Sequence, residues 1–134
     1  MKNVRLSQAE TEANKLAKAL HGGEVLALIG DLGSGKTTFT KALGKALGVR
    51  STITSPTFVM MQQYQTTTKN KEDKPLWLYH LDLYRTNNFS EVKSLGVEQY
   101  WGHPETITVI EWADKILDQL PKEALLFKFT RDAK

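Results

Sequence analysis

A chain of 134 residues is long enough for one hydrophobic core, yet too short for a nucleotide-binding module joined to a separate substrate domain, so a single domain over residues 1–134 is expected. The absence of cysteine excludes disulfides and thiolate metal sites. A net charge of +3, without a Lys/Arg stripe interleaved with aromatics, points to a charged solvent surface rather than a nucleic-acid groove.

In chain order, Ser7-Gln8-Ala9-Glu10 reads as a capping-box helix start, with Ala9, Ala13, Leu16, Ala17 and Leu20 on a narrow apolar face. His21-Gly22-Gly23 ends that helix, His21 acting as a cap. Glu24 to Ile29 is then a short apolar run, the pattern of a strand buried on both faces. Residues Gly30-Asp31-Leu32-Gly33-Ser34-Gly35-Lys36-Thr37 follow at once and fit the phosphate-binding pattern G-x-x-x-x-G-K-[ST]. The glycines let a tight loop aim backbone N–H groups at phosphates, Lys36 reaches the β- and γ-phosphates, and the Thr37 hydroxyl is suited to Mg²⁺. Leu32, Gly33, Ser34, Gly35, Lys36, Thr37 and Thr38 are therefore the candidate nucleotide-binding residues.

The helix after the loop carries Phe39, Leu43, Ala46 and Leu47 on one face and has Gly48 as its C-terminal cap. Its positive dipole end is aimed at the bound anion. Val49 to Thr57 is rich in Ser and Thr and contains Pro56, a poor helix and a loop suited to lie beside a γ-phosphate. Phe58 to Tyr64 reads as a strand, Gln65 to Pro75 as a polar connection, and Leu76 to Leu81 as a partner strand ending at Asp82. Inside the connection, Asn70-Lys71-Glu72-Asp73 spells the guanine-reading N-K-x-D motif. No long apolar strand precedes it and no D-x-x-G follows the phosphate loop, so it is read as a turn, and ATP is favoured over GTP.

Ser90 is a candidate N-cap for a short helix ending near Gly96, with a second helical turn over Val97 to Trp101. Thr106 to Ile110 is another strand, ending at Glu111-Trp112. One or two helical turns are expected over Lys115 to Leu120, and a last strand over Ala124 to Phe129. Helical crossovers plus one hairpin-like pair imply a mixed sheet around a phosphate-loop core. Phosphoryl chemistry needs an acid to hold the metal or orient the attacking group, and ligands bind outside the carboxyl ends of strands. Asp82 and Glu111 both follow apolar runs and qualify; spacing alone does not say which of them holds the metal.

The phosphate loop, then Ser55-Pro56-Thr57-Phe58, then His80-Leu81-Asp82-Leu83-Tyr84-Arg85, then Val109-Ile110-Glu111-Trp112, together resemble the bacterial TsaE (YjeE) ATPases. Leu95-Gly96-Val97 falls in place between the last two blocks, and the resemblance covers roughly residues 5 to 129. It implies an α/β, P-loop NTPase-like three-layer fold with a mixed, mainly parallel central sheet. It also implies an ATPase subunit of the machinery that makes threonylcarbamoyladenosine at position 37 of tRNA. Such a subunit docks on the TsaB–TsaD pair, meets tRNA only through that complex, and hydrolyses ATP to sustain turnover.

Carried over by position, Lys36 and the loop amides bind phosphates, Thr37 and Glu111 hold Mg²⁺, and Asp82 serves hydrolysis beside Lys36. Ser55-Pro56-Thr57 becomes a switch-like loop, and Trp112 flanks the nucleotide site or a partner surface. Relatives often continue beyond the last predicted strand, which leaves room for an absent edge strand. Two other functions share the same loop: a small-molecule kinase, which needs an acceptor pocket and an Arg-rich lid, and a binding module in which ATP only orders the Ser55–Thr57 loop. No apolar run reaches the length of a signal segment or membrane span, so a cytoplasmic protein is expected.

Overall fold

The structure is a computed structural model that describes residues 1–53, 61–85 and 89–132. The Ser55-Pro56-Thr57 loop and the start of the strand expected at Phe58 lie outside the described residues. In chain order the elements are β1 (Lys2–Arg5), α1 (Ala9–Ala17), β2 (Val25–Ile29), α2 (Lys36–Leu47), β3 (Met61–Lys69), β4 (Pro75–Asp82), α3 (Phe89–Lys93), β5 (Thr106–Glu111) and β6 (Leu125–Thr130). Short 3₁₀ turns cover Leu6–Gln8, Val97–Gln99 and Ala113–Gln119.

The strands form one six-stranded sheet in the order β1-β6-β2-β5-β4-β3. Every neighbouring pair is parallel except β3 with β4, which are antiparallel and form the hairpin. The expected mainly parallel mixed sheet is what is found. Side chains alternate between its two faces, as a period of two requires. Leu26, Leu28, Leu78, Ile107, Val109, Phe127 and Phe129 pack with Ala9 and Ala13 of α1 and with Phe39, Leu43 and Leu47 of α2. Val25, Ala27, Leu81 and Ile110 pack with Val92, Val97, Ala113 and Ile116 on the other side. Three layers result. All six residues of β5 are buried, as befits a strand covered on both faces.

Several expected boundaries change, each for a tertiary reason. The first strand is absent from the sequence reading because Lys2–Arg5 buries only Val4; its strand geometry comes from parallel pairing with β6. The last strand is thereby an inner strand, with β1 at the edge beyond it. Ser7 is not the N-cap expected of it. Its hydroxyl donates to Asp132 Oδ1 at 2.9 Å, the first turn is 3₁₀, and α1 starts at Ala9. His21 pairs with Glu24 across 3.2 Å instead of capping the helix end. In α2, Ala46 is exposed and Ala42 packs against the core in its place, while Gly48 is the C-cap as expected. β3 runs on to Lys69, where a polar connection was expected from Gln65, because Tyr64 and Thr66 alternate inward and Thr66 Oγ1 donates to the Leu76 carbonyl at 2.8 Å. The Asn70–Asp73 segment is the hairpin turn, with Asn70 Oδ1 accepting from the backbone N–H groups of Glu72 and Lys74. Ser90 lies inside α3 rather than at its cap.

Candidate functional site

The site lies where β2, β4 and β5 end. β2 leads into the loop 30–35, in which Gly30, Gly33 and Gly35 take φ of 152°, 75° and 115°, values that L side chains rarely adopt. The α2 N-cap is Gly35, which has no side chain to cap the first N–H groups of the helix. The buried Ser34 hydroxyl has no hydrogen-bond partner among the described residues. A cavity of about 330 Å³ opens beside the loop, lined in part by Gly30, Asp31, Ser34, Asp114 and Arg131. Backbone donors, an unpartnered hydroxyl and open space together suit an anion.

Lys36, the first residue of α2, is only 4% exposed. Its ammonium donates to the Asp31 carbonyl at 2.9 Å and to the Gly30 carbonyl, and sits 4.0 Å from the centre of the Trp112 ring. Burial pushes its pKa down, against the pull of Glu111, Asp114, Asp31 and Asp82. Trp112 holds this position in a left-handed conformation (φ 61°), uncommon for a bulky residue, and its ring packs 5.0 Å from that of Tyr84. Trp112 thus lies against the loop lysine and Tyr84.

The two acids come from adjacent parallel strands whose registers align Asp82 with Glu111. Aligned residues of neighbouring strands project on the same face, so the two carboxylates share the face that α2 covers. Glu111 is 2% exposed, and its Oε1 accepts from Thr37 Oγ1 at 3.0 Å. Its Oε2 lies 2.6 Å from His80 Nε2. Asp82 is half-buried, and its Oδ1 accepts from the Tyr84 backbone N–H at 3.0 Å. Burial raises the Asp82 pKa; the Tyr84 N–H lowers it, Glu111 raises it further, and His80 and Lys36 oppose that.

Lys36, Thr37, Asp82 and Glu111 therefore converge, and Leu32, Gly33, Ser34, Gly35 and Thr38 form the loop and helix start around them. A hydroxyl next to a carboxylate is a hard-oxygen donor pair of the kind Mg²⁺ takes, together with phosphate oxygens. Arg85 is exposed in the turn after β4. Two residues at the site carry no role in the reading of the sequence. Arg131, just past β6, donates to the Leu32 carbonyl at 2.7 Å and so ties the last strand to the phosphate loop. His80 stands two residues before Asp82 on β4, and period-two alternation puts both on one face, the signal that could have singled it out.

The chain is similar to known proteins in sequence and in fold. The sequence model of the family described as "Threonylcarbamoyl adenosine biosynthesis protein TsaE" matches residues 5–134. The tRNA threonylcarbamoyladenosine biosynthesis protein TsaE of Bacillus subtilis is 39% identical over 124 residues, covering 92% of this chain and 72% of the relative. Its counterpart in Synechocystis is 42% identical over 121 residues, covering 88% and 71%. The crystal structure of YdiB from Bacillus subtilis superposes with a TM-score of 0.67 at 33% identity, over 98% of this chain and 74% of that one. The chain belongs to the TsaE family and has its P-loop fold.

Proposed function

We propose that this single-domain protein binds MgATP on the loop 30–37 and hydrolyses it in the service of tRNA threonylcarbamoyladenosine synthesis, docked on the TsaB–TsaD pair. Membership of the TsaE family and the names of the relatives support the pathway. The observation that carries the chemistry is the 3.0 Å contact between Thr37 and Glu111. It joins the end of the phosphate loop to a strand tip 74 residues away. Leu32, Gly33, Ser34, Gly35, Lys36, Thr37 and Thr38 hold the phosphates, and Thr37 with Glu111 holds the metal. The bound Mg²⁺ supplies charge neutralisation on the phosphate oxygens.

Lys36 exchanges its two loop carbonyls for phosphate oxygens and stabilises the charge that develops on the transferred group. Asp82, raised in pKa and beside Glu111, orients the attacking water and accepts its proton. Trp112 covers the lysine and shields it from bulk water.

The test is co-purification with TsaB and TsaD and measurement of ATP turnover with and without them. Turnover that rises in the complex and falls by about a hundredfold with Asp82→Ala, at unchanged ATP affinity, is the expected result. An unchanged rate removes Asp82 from the reaction. Full modification over repeated cycles with a non-hydrolysable analogue overturns the hydrolytic reading in favour of a nucleotide-gated binding module. A phosphorylated metabolite appearing in place of free phosphate overturns it in favour of a small-molecule kinase.

A further inference from the structure

His80 is fully buried, at 0% exposure, on the polar end of β4. A buried histidine in a strand is ordinarily satisfied through both ring nitrogens. Here Nε2 meets Glu111 Oε2 at 2.6 Å, while Nδ1 has no hydrogen-bond partner among the described residues. A carboxylate oxygen facing a ring nitrogen accepts, so Nε2 is assigned the proton of this contact.

The two oxygens of Glu111 are thus divided between two elements. Oε2 is held by β4 through His80, and Oε1 faces the Thr37 hydroxyl at the start of α2. The terminal torsion of a glutamate is broad and selects no orientation by itself. A carboxylate with one contact could rotate; with Oε2 anchored, Oε1 is kept towards Thr37.

We infer that His80 is a positioning residue for the metal site: its Nε2–H fixes the Glu111 carboxylate so that Oε1 and the Thr37 hydroxyl are presented together to the cation. The inference rests on the reading of Thr37 and Glu111 as metal ligands. It follows the general rule that ligating carboxylates are themselves hydrogen-bonded and that loss of such a partner weakens metal binding by about 10–100-fold.

The experiment measures binding of a fluorescent ATP analogue in Mg²⁺ and in EDTA, with direct Mn²⁺ titration followed by electron paramagnetic resonance. The variants are His80→Gln, His80→Asn, His80→Leu and Glu111→Gln. A glutamine amide reaches the place of Nε2, whereas the shorter asparagine amide does not, and leucine fills the volume with no donor. The expected result is a loss of about tenfold or more in Mn²⁺ affinity for His80→Leu and His80→Asn. Their affinity for the analogue in EDTA is expected to stay unchanged, and His80→Gln to recover most of the metal affinity. Equal behaviour of the glutamine and asparagine variants overturns the inference, since a merely structural role does not distinguish them. So does a parallel loss of affinity in EDTA. If Glu111→Gln loses metal affinity and His80→Leu does not, the inference fails while the metal site stands. If Glu111→Gln also retains full metal affinity, the metal site itself is misassigned.

Discussion

One face of β4 and β5 changes character along its length. Parallel register pairs Leu78 with Ile107, then His80 with Val109, then Asp82 with Glu111. At the first rung both side chains are fully buried in the apolar cluster under α1 and α2, where each removes surface from water and stabilises the fold. Two rungs on, the same face holds two acids and the loop lysine. There burial moves Lys36 and Asp82 in the directions that disfavour their charged forms. Continuous strands thus carry a region that stabilises and a region that costs stability, separated by four residues along β4. Charged groups kept in such surroundings against their own solvation are the ones expected to be retained for chemistry.

The largest effect is expected in the apolar region. Phe39 is fully buried, with its ring 5.5 Å from that of Phe127 and 5.2 Å from that of Phe129. Phe39→Ala leaves a cavity and is expected to cost about 3–5 kcal/mol, read as a lower urea midpoint at unchanged slope. A cost under about 1 kcal/mol would mean that the apolar cluster under α1 and α2 is not the stabilising region.

Lys36→Ala sharpens the comparison from the other side. Removing the charge-assisted phosphate contacts proposed for it is expected to weaken ATP binding by about ten- to a hundredfold, while the ligand-free protein melts no lower than the wild type. A large drop in the melting temperature without ligand would place the lysine among the stabilising groups.

The smallest effect concerns Asp82. Its folded pKa lies above its ordinary value of 3.8, so the folded state takes up the proton more readily than the unfolded chain. Stability from this group is therefore complete below 3.8 and is lost as pH rises through the raised folded value. Asp82→Asn, which stays neutral and keeps an oxygen for the Tyr84 N–H, is expected to match the wild type in acid and to be the more stable at neutral pH. Thermal melts across that range, in EDTA, check it. A gap that closes on raising the pH contradicts the assignment of burial as the dominant cause.

What the sequence by itself determined is whatever depends on contiguous residues. The apolar run before Gly30, the glycines, Lys36-Thr37 and the amphipathic helix to Gly48 are consecutive, so strand, phosphate loop and helix were all legible from local pattern. Asp82 and Glu111 were legible as strand-end acids for the same reason. Their alignment side by side was not, because register is a property of the pairing and not of either strand.

Only the tertiary structure decided the contacts made across long stretches of chain. His80 reaches Glu111 over 31 residues, Arg131 reaches Leu32 over 99, and Asp132 takes the Ser7 hydroxyl over 125. β1 is the same case: four residues with one buried side chain carry too little local preference to be a strand until β6 supplies the ladder. Local patterns select conformations; the partners that satisfy buried polar groups are chosen when distant segments meet.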